Sequence, residues 1–181
     1  MKSYCTGFII SAILLTTSTV AQAGKSKYEK EGDVLQVLIP LTAYGATFYM
    51  QDIDGRNQFY KSFLTNLAIT YSLKYTINEP RPEHNGNHSF PSGHTSAAFQ
   101  GAAFIHLRYG WQYGLPAYAA AAFVGWSRVE GESDKHDTTD VLAGAAIGIF
   151  SGYYFTTPYK GVSITPYAEK NGLGVTLSMD W

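Results

Sequence analysis

Residues 91–110 read PSGHTSAAFQGAAFIHLRYG, a stretch that begins with a helix start signal and ends with a helix stop signal. Ser92 is a favourable N-cap residue, and the pattern predicts a helix that continues to about Arg108 and ends at Gly110. Free backbone amides at a helix N-terminus bind anions, and Gly93 allows a ligand to approach the backbone closely. Because a proline-serine pair is also an ordinary helix start, an anion cradle here is a hypothesis that needs support from other residues.

Four more helices are predicted on the two sides of this stretch. Their expected bounds are residues 34–50, about 57–76, 117–126 and about 138–155. A turn at residues 52–55 separates the first two, and a polar lead at 25–32 precedes the first.

The second predicted helix has one apolar face. Its residues recur every fourth position, which is the spacing of such a face; they are Phe59, Phe63, Leu67 and Tyr71. The helix is expected to end before Pro80, which places Lys74 in its last turn. Residues 78–91 are rich in Pro, Asn, Gly and His, and residues 128–135 are polar, so both segments are predicted to be loops.

The last helix and the tail complete the predicted fold. Gly144, Gly148 and Gly152 recur every fourth residue and either let a neighbouring helix approach closely or are simply weak helix formers in a buried segment. Alternating residues around Asn171-Gly172 indicate a β-hairpin at about 161–181. The predicted fold class is therefore all-α, a bundle of five to six helices with a small C-terminal β-hairpin.

The N-terminus has the pattern of a secretory signal peptide at residues 1–23. Lys2 is followed by an apolar run from Phe8 to Leu15 and by the small-residue site Ala21-Gln22-Ala23. The run is too short to span a bilayer comfortably, which argues against an uncleaved anchor. Cys5, the one cysteine, lies inside this segment. The exported domain, residues 24–181, is therefore expected to have no disulfide and no thiol chemistry.

The net charge and the hydropathy of the chain restrict the kinds of binding partner that are expected. Without Lys2 the chain has 12 basic and 14 acidic residues, which gives a formal charge of −2. Nucleic acid is not an expected partner, because it would require a basic face. Uncharged runs at 34–51, 109–127 and 141–159 contain many Gly, Tyr and Ser residues, and the mean hydropathy is −0.10. We predict a periplasmic domain, soluble or held at a membrane surface, rather than an integral membrane protein.

Three cations are candidates for binding a phosphate ester, namely Lys74, Arg81 and Arg128. Phosphoryl transfer is accelerated mainly by positioned positive charge and hydrogen-bond donors around the phosphoryl oxygens. Arginine suits this task because its planar guanidinium forms bidentate hydrogen bonds and stays charged. Taken singly, each of these cations would more often be a solvated surface residue.

Two histidines and a carboxylate accompany these cations. His94 lies at the predicted helix start, where it could protonate a departing alkoxide. His136 and Asp140 are four residues apart. If the last helix begins by His136, both lie on one face, and the carboxylate could hold one imidazole nitrogen and leave the other to attack. Asp140 also suits a helix-capping role, which is the competing interpretation.

These motifs together resemble the type 2 phosphatidic acid phosphatase superfamily, which includes bacterial acid phosphatases, lipid phosphatases and vanadium-dependent haloperoxidases. Its signature is Lys, six residues, Arg-Pro; then Pro-Ser-Gly-His; then Ser-Arg, five residues, His, three residues, Asp. The chain matches it from Lys74 to Asp140, within a motif core at 74–155. One departure is present, because seven residues and not five separate Arg128 from His136.

The resemblance implies a phosphatase domain at 24–181 that uses a phosphohistidine intermediate. His136 would attack phosphorus, Asp140 would orient it, and His94 would protonate the leaving group. The residues implied to bind the phosphoryl oxygens are Lys74, Arg81, Ser92, Gly93 and Arg128. The substrate would be a small phosphate ester or a lipid-linked one such as a phospholipid or polyprenyl phosphate.

Two other functions stay open at this point. A vanadate-dependent haloperoxidase would use the same cations, although such enzymes are larger proteins with additional helices. A non-catalytic phosphate- or lipid-binding module would be expected to lack one of the two histidines, and both are present. His84 and His88 lie beside the predicted site, but further metal ligands are not evident, so neither a metal nor a cofactor is predicted.

Overall fold

The computed structural model describes residues 25–82, 86–131, 136–159, 162–169 and 172–179. Within these residues the chain forms five helices and one antiparallel hairpin, which confirms the predicted fold class. The elements are α1 (Lys25–Tyr49), α2 (Ile53–Ile77), α3 (Gly93–Tyr109), α4 (Trp111–Val129), α5 (Thr138–Phe155), β1 (Val162–Glu169) and β2 (Gly172–Met179). The predicted signal peptide at 1–23 lies outside the described residues.

Helix α3 is the centre of the bundle, since it packs against all four other helices. Its buried side chains are mostly small, with Ala98, Ala102 and Ala103 fully enclosed beside Phe104. Small side chains let the neighbouring helices approach closely. The start and end signals of this helix were predicted correctly, because Ser92 is its N-cap residue and Gly110 its C-cap residue.

The contact between α3 and α5 depends on the glycine ridge of α5. A Cβ atom at Gly148 would lie 2.4 Å from the carbonyl oxygen of Ser96, and one at Gly144 would lie 2.5 Å from that of Ser92. A Cβ atom at Gly152 would lie 2.7 Å from the Cβ of Ala103. Side chains at these positions would force the helices apart. The ridge is therefore a surface of close helix contact, as one of the two interpretations predicted.

At the end of the bundle away from the start of α3, a buried ion pair joins α2 to α3. Asp52 accepts hydrogen bonds from Nε (2.7 Å) and Nη2 (2.5 Å) of Arg108 and from the amide of Gly55 (2.8 Å). Burial raises the pKa of Asp52, but these hydrogen bonds outweigh burial and leave the pKa below its ordinary value. Arg108 also donates to the carbonyl oxygen of Thr157, which ties down the chain after α5.

Helix α2 begins at Ile53 rather than about 57. Asp52 is its N-cap residue, so most of the turn predicted at 52–55 is the first turn of this helix.

Two other helices are also longer than predicted. Helix α1 begins at Lys25 rather than 34, so the polar lead is helical, and its Glu29 and Asp33 bind Arg128 of α4. Helix α4 begins at Trp111 and continues through Pro116. The turn before that proline is closed by the amide of Gly114, which donates to Gly110. Tertiary contacts thus extend both helices beyond their local signals.

The two segments predicted as loops are partly described. Residues 78–82 and 86–91 are non-helical apart from a short turn, as predicted, and residues 83–85 lie outside the described part. Helix α4 extends to Val129, so Arg128 is helical and the predicted loop at 128–135 begins too early. Residues 132–135, which belong to the seven-residue spacer between Arg128 and His136, lie outside the described residues. None of the described helices combines the length and hydropathy of a membrane span.

We expect Gly148→Ala to lower the free energy of unfolding by roughly 2–4 kcal/mol, because its Cβ would collide with backbone atoms of α3. The matched control is Gly45→Ala, an exposed helical position with no heavy atom within 4 Å of the added Cβ. This control should gain about 0.5–1 kcal/mol from helix propensity. Urea unfolding monitored by circular dichroism measures both changes. Equal stability of Gly148→Ala and the wild type would contradict the close contact.

Candidate active site

The first turn of α3 is held against the first turn of α5 by a backbone hydrogen bond. The amide of Ser92 donates to the carbonyl oxygen of Asp140 at 2.9 Å. The hydroxyl of Ser92 accepts from the Thr95 side chain at 2.9 Å and from its amide at 3.4 Å, which is the N-cap geometry. The predicted anion cradle and the predicted histidine-carboxylate pair are thus neighbours.

His136 is oriented by Asp140. Its Nδ1 lies 3.0 Å from Oδ2 of Asp140. The same oxygen accepts a hydrogen bond of 3.2 Å from the backbone amide of Asp137. The carboxylate therefore caps α5 and holds the imidazole at once, so both interpretations of Asp140 apply. A carboxylate can only accept hydrogen bonds, so Nδ1 carries the hydrogen and Nε2 has the lone pair.

Ser89 is a part of this network that the sequence analysis missed. Its hydroxyl donates to Oδ2 of Asp140 at 2.5 Å and lies 3.2 Å from Nδ1 of His136. The residue is buried, although it belongs to a segment rich in turn-forming residues. A serine in such a loop has no spacing signal that would set it apart, beyond its closeness to Pro91.

Burial lowers the pKa of His136 to about 4. The hydrogen bond that His136 donates to Asp140 opposes this shift, while the positive charges of Lys74 and Arg81 add to it. His136 is consequently uncharged at neutral pH, and the lone pair on Nε2 is available for attack on an electrophile.

Lys74 lies in the last turn of α2, as predicted, and fixes the following loop. Its Nζ donates to the carbonyl oxygens of His88 (2.8 Å) and Ser89 (3.0 Å), and Nδ1 of His88 lies 2.9 Å from the Lys74 carbonyl oxygen. Burial lowers the pKa of Lys74 to about 8, with a further contribution from Arg81 and an opposing one from Asp140. At neutral pH the lysine is mostly protonated.

A cavity of about 780 Å³ opens beside these residues between α1, α2 and α3. One end is polar and cationic, lined by Lys74, Arg81, Gly93, His94 and His136. The other end is apolar and includes all four residues of the predicted α2 face together with Val37, Pro40, Leu41, Tyr44 and Tyr60. Because Phe59 also belongs to the buried core and Phe63 packs against it, the predicted apolar face of α2 is both core and cavity wall. A site of this shape can bind an anionic head and an apolar tail together.

Two of the predicted phosphate-binding residues occupy buried positions. Ser92 and Arg128 are 0% and 1% exposed and are not among the described residues that line the cavity. Nη1 of Arg128 donates to Oδ1 of Asp33 at 2.7 Å, and Nη2 donates to the carbonyl oxygen of Glu29 at 2.6 Å. The same Asp33 oxygen lies 3.2 Å from Nε2 of His94. Asp33 was missed, because it lies between the polar lead predicted at 25–32 and the helix predicted from 34, where no local pattern assigns it a role.

The fold thus brings the predicted residues to one end of the bundle, five of them on the cavity wall and Asp140, Ser92 and Arg128 in buried contact with their neighbours. Their roles stay predictions. His84 lies outside the described residues. Among the residues that the structure describes, no group of three or more His, Cys, Asp or Glu side chains is placed to hold a metal ion.

The charges around His136 predict how its pKa responds to substitution. Lys74→Met removes a positive charge and should raise the pKa of His136, whereas Asp140→Asn removes a negative charge and should lower it further. Titration of the histidine ring signals by NMR measures both. His106, whose pKa is lowered by burial elsewhere on α3, is the internal control and should not move. A fall in the pKa of His136 in Lys74→Met would contradict this electrostatic arrangement.

The sequence of the chain is similar to the sequences of known proteins. The chain is 33% identical over 141 residues to lipid A 1-phosphatase of Porphyromonas gingivalis, covering 71% of this chain and 31% of that protein. It is 31% identical over 140 residues to probable lipid phosphate phosphatase 4 of Arabidopsis thaliana, covering 67% of this chain and 42% of that protein. The chain therefore spans less than half the length of these curated relatives.

The fold is similar to the crystal structure of Aquifex aeolicus LpxE, with a TM-score of 0.63 and 20% identity over 80% of this chain and 92% of that chain. At this identity the likeness concerns the fold. The family model described as the PAP2 superfamily matches residues 58–161, more than half of the chain and the whole segment from Lys74 to Asp140. The resemblance expected from the motifs is confirmed, and the chain belongs to the PAP2 superfamily.

Proposed function

We propose that the protein is a metal-independent phosphomonoesterase that hydrolyses lipid-linked phosphate esters through a phosphohistidine intermediate. The observation that carries the proposal is the state of His136. It is uncharged, its Nδ1 is held by Asp140, and it lines a cavity whose nearby wall includes Lys74 and Arg81. An uncharged, oriented imidazole beside an anion-binding surface is suited to attack a phosphoryl group.

In the proposed first step, Nε2 of His136 attacks phosphorus. The bond from phosphorus to the ester oxygen breaks, and the electron pair leaves with that oxygen. His94 donates a proton to the oxygen, so that an alcohol departs. Asp140 stabilises the positive charge that develops on the imidazole of His136.

In the second step, water attacks the phosphohistidine. His94, now uncharged, accepts a proton from the water, and inorganic phosphate departs with Nε2 of His136 restored to its lone pair. The phosphoryl oxygens would be bound by Lys74, Arg81 and the backbone amides of the first α3 turn, including Gly93. In this scheme Ser92 acts by capping that turn, and Arg128 adds positive charge from its buried position.

The apolar end of the cavity supports a lipid-linked substrate. Phe59, Phe63 and Leu67 line it below the cationic end, and both curated relatives are named as phosphatases of lipids. A small phosphate ester would leave these apolar walls in contact with water, whereas a phospholipid or polyprenyl phosphate would cover them. These names favour a phosphatase over a vanadate-dependent haloperoxidase, and no described feature favours the latter.

The mouth of the cavity supports action at a membrane surface. Val37, Leu41 and Tyr71 line the cavity and are each more than half exposed. Exposed apolar side chains around a binding cleft are typical of surfaces that contact lipid. Together with the predicted signal peptide, this supports an exported, periplasmic and membrane-associated enzyme.

The purified protein should release inorganic phosphate from dihexanoyl phosphatidic acid, a short-chain lipid that dissolves as monomers, in the presence of a chelator. Vanadate should inhibit the reaction. His136→Ala should reduce kcat by at least about 10³-fold, because the nucleophile is lost. His106→Gln, far from the site on α3, is the control that should retain activity. Full activity of His136→Ala would disprove the mechanism.

The apolar wall is tested by a matched pair on α2. Leu67 lines the cavity, whereas Leu64 is 62% exposed and does not belong to the described lining. Leu67→Asn should raise KM for dihexanoyl phosphatidic acid by about tenfold through lost apolar contact. It should leave KM for p-nitrophenyl phosphate within about twofold, since that ester has no tail to place there. Equal effects of Leu67→Asn and Leu64→Asn would contradict a lipid-binding wall.

A further inference from the structure

Asp33 connects two residues of the proposed site that come from different helices. Asp33 lies in α1. Its Oδ1 accepts a hydrogen bond of 2.7 Å from Nη1 of Arg128 in α4. The same oxygen lies 3.2 Å from Nε2 of His94 in α3. The PAP2 motifs quoted above do not include this residue, which precedes the matched segment 58–161. One carboxylate oxygen of Asp33 thus contacts both the proposed general acid, His94, and a proposed phosphate-binding cation, Arg128.

The guanidinium of Arg128 needs this carboxylate. Its side chain is 0% exposed, and its other described partners are the uncharged oxygens of Glu29 carbonyl and Ser127 hydroxyl. A buried cation without an opposite charge is strongly disfavoured. The pair therefore stabilises Arg128 in place, and it fixes Asp33 at a defined position beside the cavity.

His94 needs a negative neighbour for a different reason. In the described part of the chain, His94 shares the polar wall of the cavity with Lys74 from α2, Arg81 and His88 from the following loop and His136 before α5, and Asp33 from α1 joins it to Arg128 of α4. Three of these are cations that disfavour a protonated imidazole, and a general acid has to be protonated when substrate binds. Asp33 is the acidic residue that the structure describes in contact with His94, whereas the carboxylate of Asp140 is engaged with His136.

We propose that Asp33 is a positioning residue that keeps His94 oriented and protonated for donation to the leaving group. This inference rests on the proposed phosphatase activity. The Asp33 carboxylate accepts the Nε2 hydrogen before and after the transfer, so the proton that leaves comes from Nδ1. When the ester bond breaks, its electron pair goes to the leaving oxygen and the Nδ1 proton joins it. His94 is then neutral, with Nε2 still protonated and held by Asp33.

Asp33 contacts His94 as Asp140 contacts His136, but the two histidines differ in their exposure to solvent. His136 is 4% exposed and has a lowered pKa, whereas the side chain of His94 is 36% exposed and its carboxylate partner is 45% exposed. Solvent access allows the imidazolium of His94 to be hydrated as well as paired. Two histidines next to carboxylates can in this way serve as nucleophile and acid in one site.

The test compares two substrates that differ in their need for an acid. Hexyl phosphate has a poor leaving group that must be protonated, whereas p-nitrophenyl phosphate has a good one. Asp33→Asn should lower kcat/KM for hexyl phosphate by about 10- to 100-fold more than that for p-nitrophenyl phosphate, because a disturbed Arg128 would affect both esters alike and only hexyl phosphate needs the acid. The basic limb of the pH profile with hexyl phosphate should move to lower pH by about one unit.

Two controls separate positioning from folding. The ratio of the two kcat/KM values within one sample does not depend on how much of the variant is folded. Asp33→Glu keeps the charge and should restore most of the hexyl phosphate rate, and Asp54→Asn, an exposed acid at the start of α2, should behave like the wild type.

Equal losses on both substrates, no loss on either, or an unmoved basic limb would overturn the role of Asp33 while leaving the phosphatase intact. A wild-type protein that hydrolyses neither ester would overturn the proposed function itself, and this inference with it.

Discussion

The amide of Ser92 donates to the carbonyl oxygen of Asp140, and this 2.9 Å bond joins the two helix starts from which the site is built. It can form only because Gly144 and Gly148 let the backbone of α5 approach that of α3. One helix start presents the amides around Gly93, and the other carries the carboxylate that holds His136. The distance between the proposed anion cradle and the proposed nucleophile, His136, is thus set by backbone packing, which is stiffer than any contact between long side chains.

The electrostatic surroundings of His136 and His94 differ. Burial and nearby cations hold His136 uncharged, although Asp140 contacts it. His94 lies in a more accessible position and shares Asp33 with the buried Arg128. On the proposed mechanism, one histidine must enter the reaction with a lone pair and the other with a proton. The surroundings of the two side chains favour that assignment without requiring different residue types.

Local signals predicted a large part of this structure. The bounds of α5 and the caps of α3 follow from residues within a few positions of each helix end, and both agree with the structure. Long-range pairing of polar residues was not predictable. Asp33 is held by a partner 95 positions away, and Ser89 is buried by contact with a residue 51 positions further along. Neither contact has a periodicity or a fixed spacing, so the sequence offers no pattern that would reveal it.

The central claim is that phosphate passes through a covalent bond to His136, and trapping that bond is its most direct test. The protein would be mixed with dihexanoyl phosphatidic acid carrying a labelled phosphate, quenched in base during turnover, and digested for mass spectrometry. Phosphohistidine survives base and is lost in acid, so an acid-treated aliquot is the control. A phosphohistidine intermediate would give one base-stable, acid-labile phosphoryl group on His136. Turnover without any labelled protein, or a label confined to another residue, would contradict it.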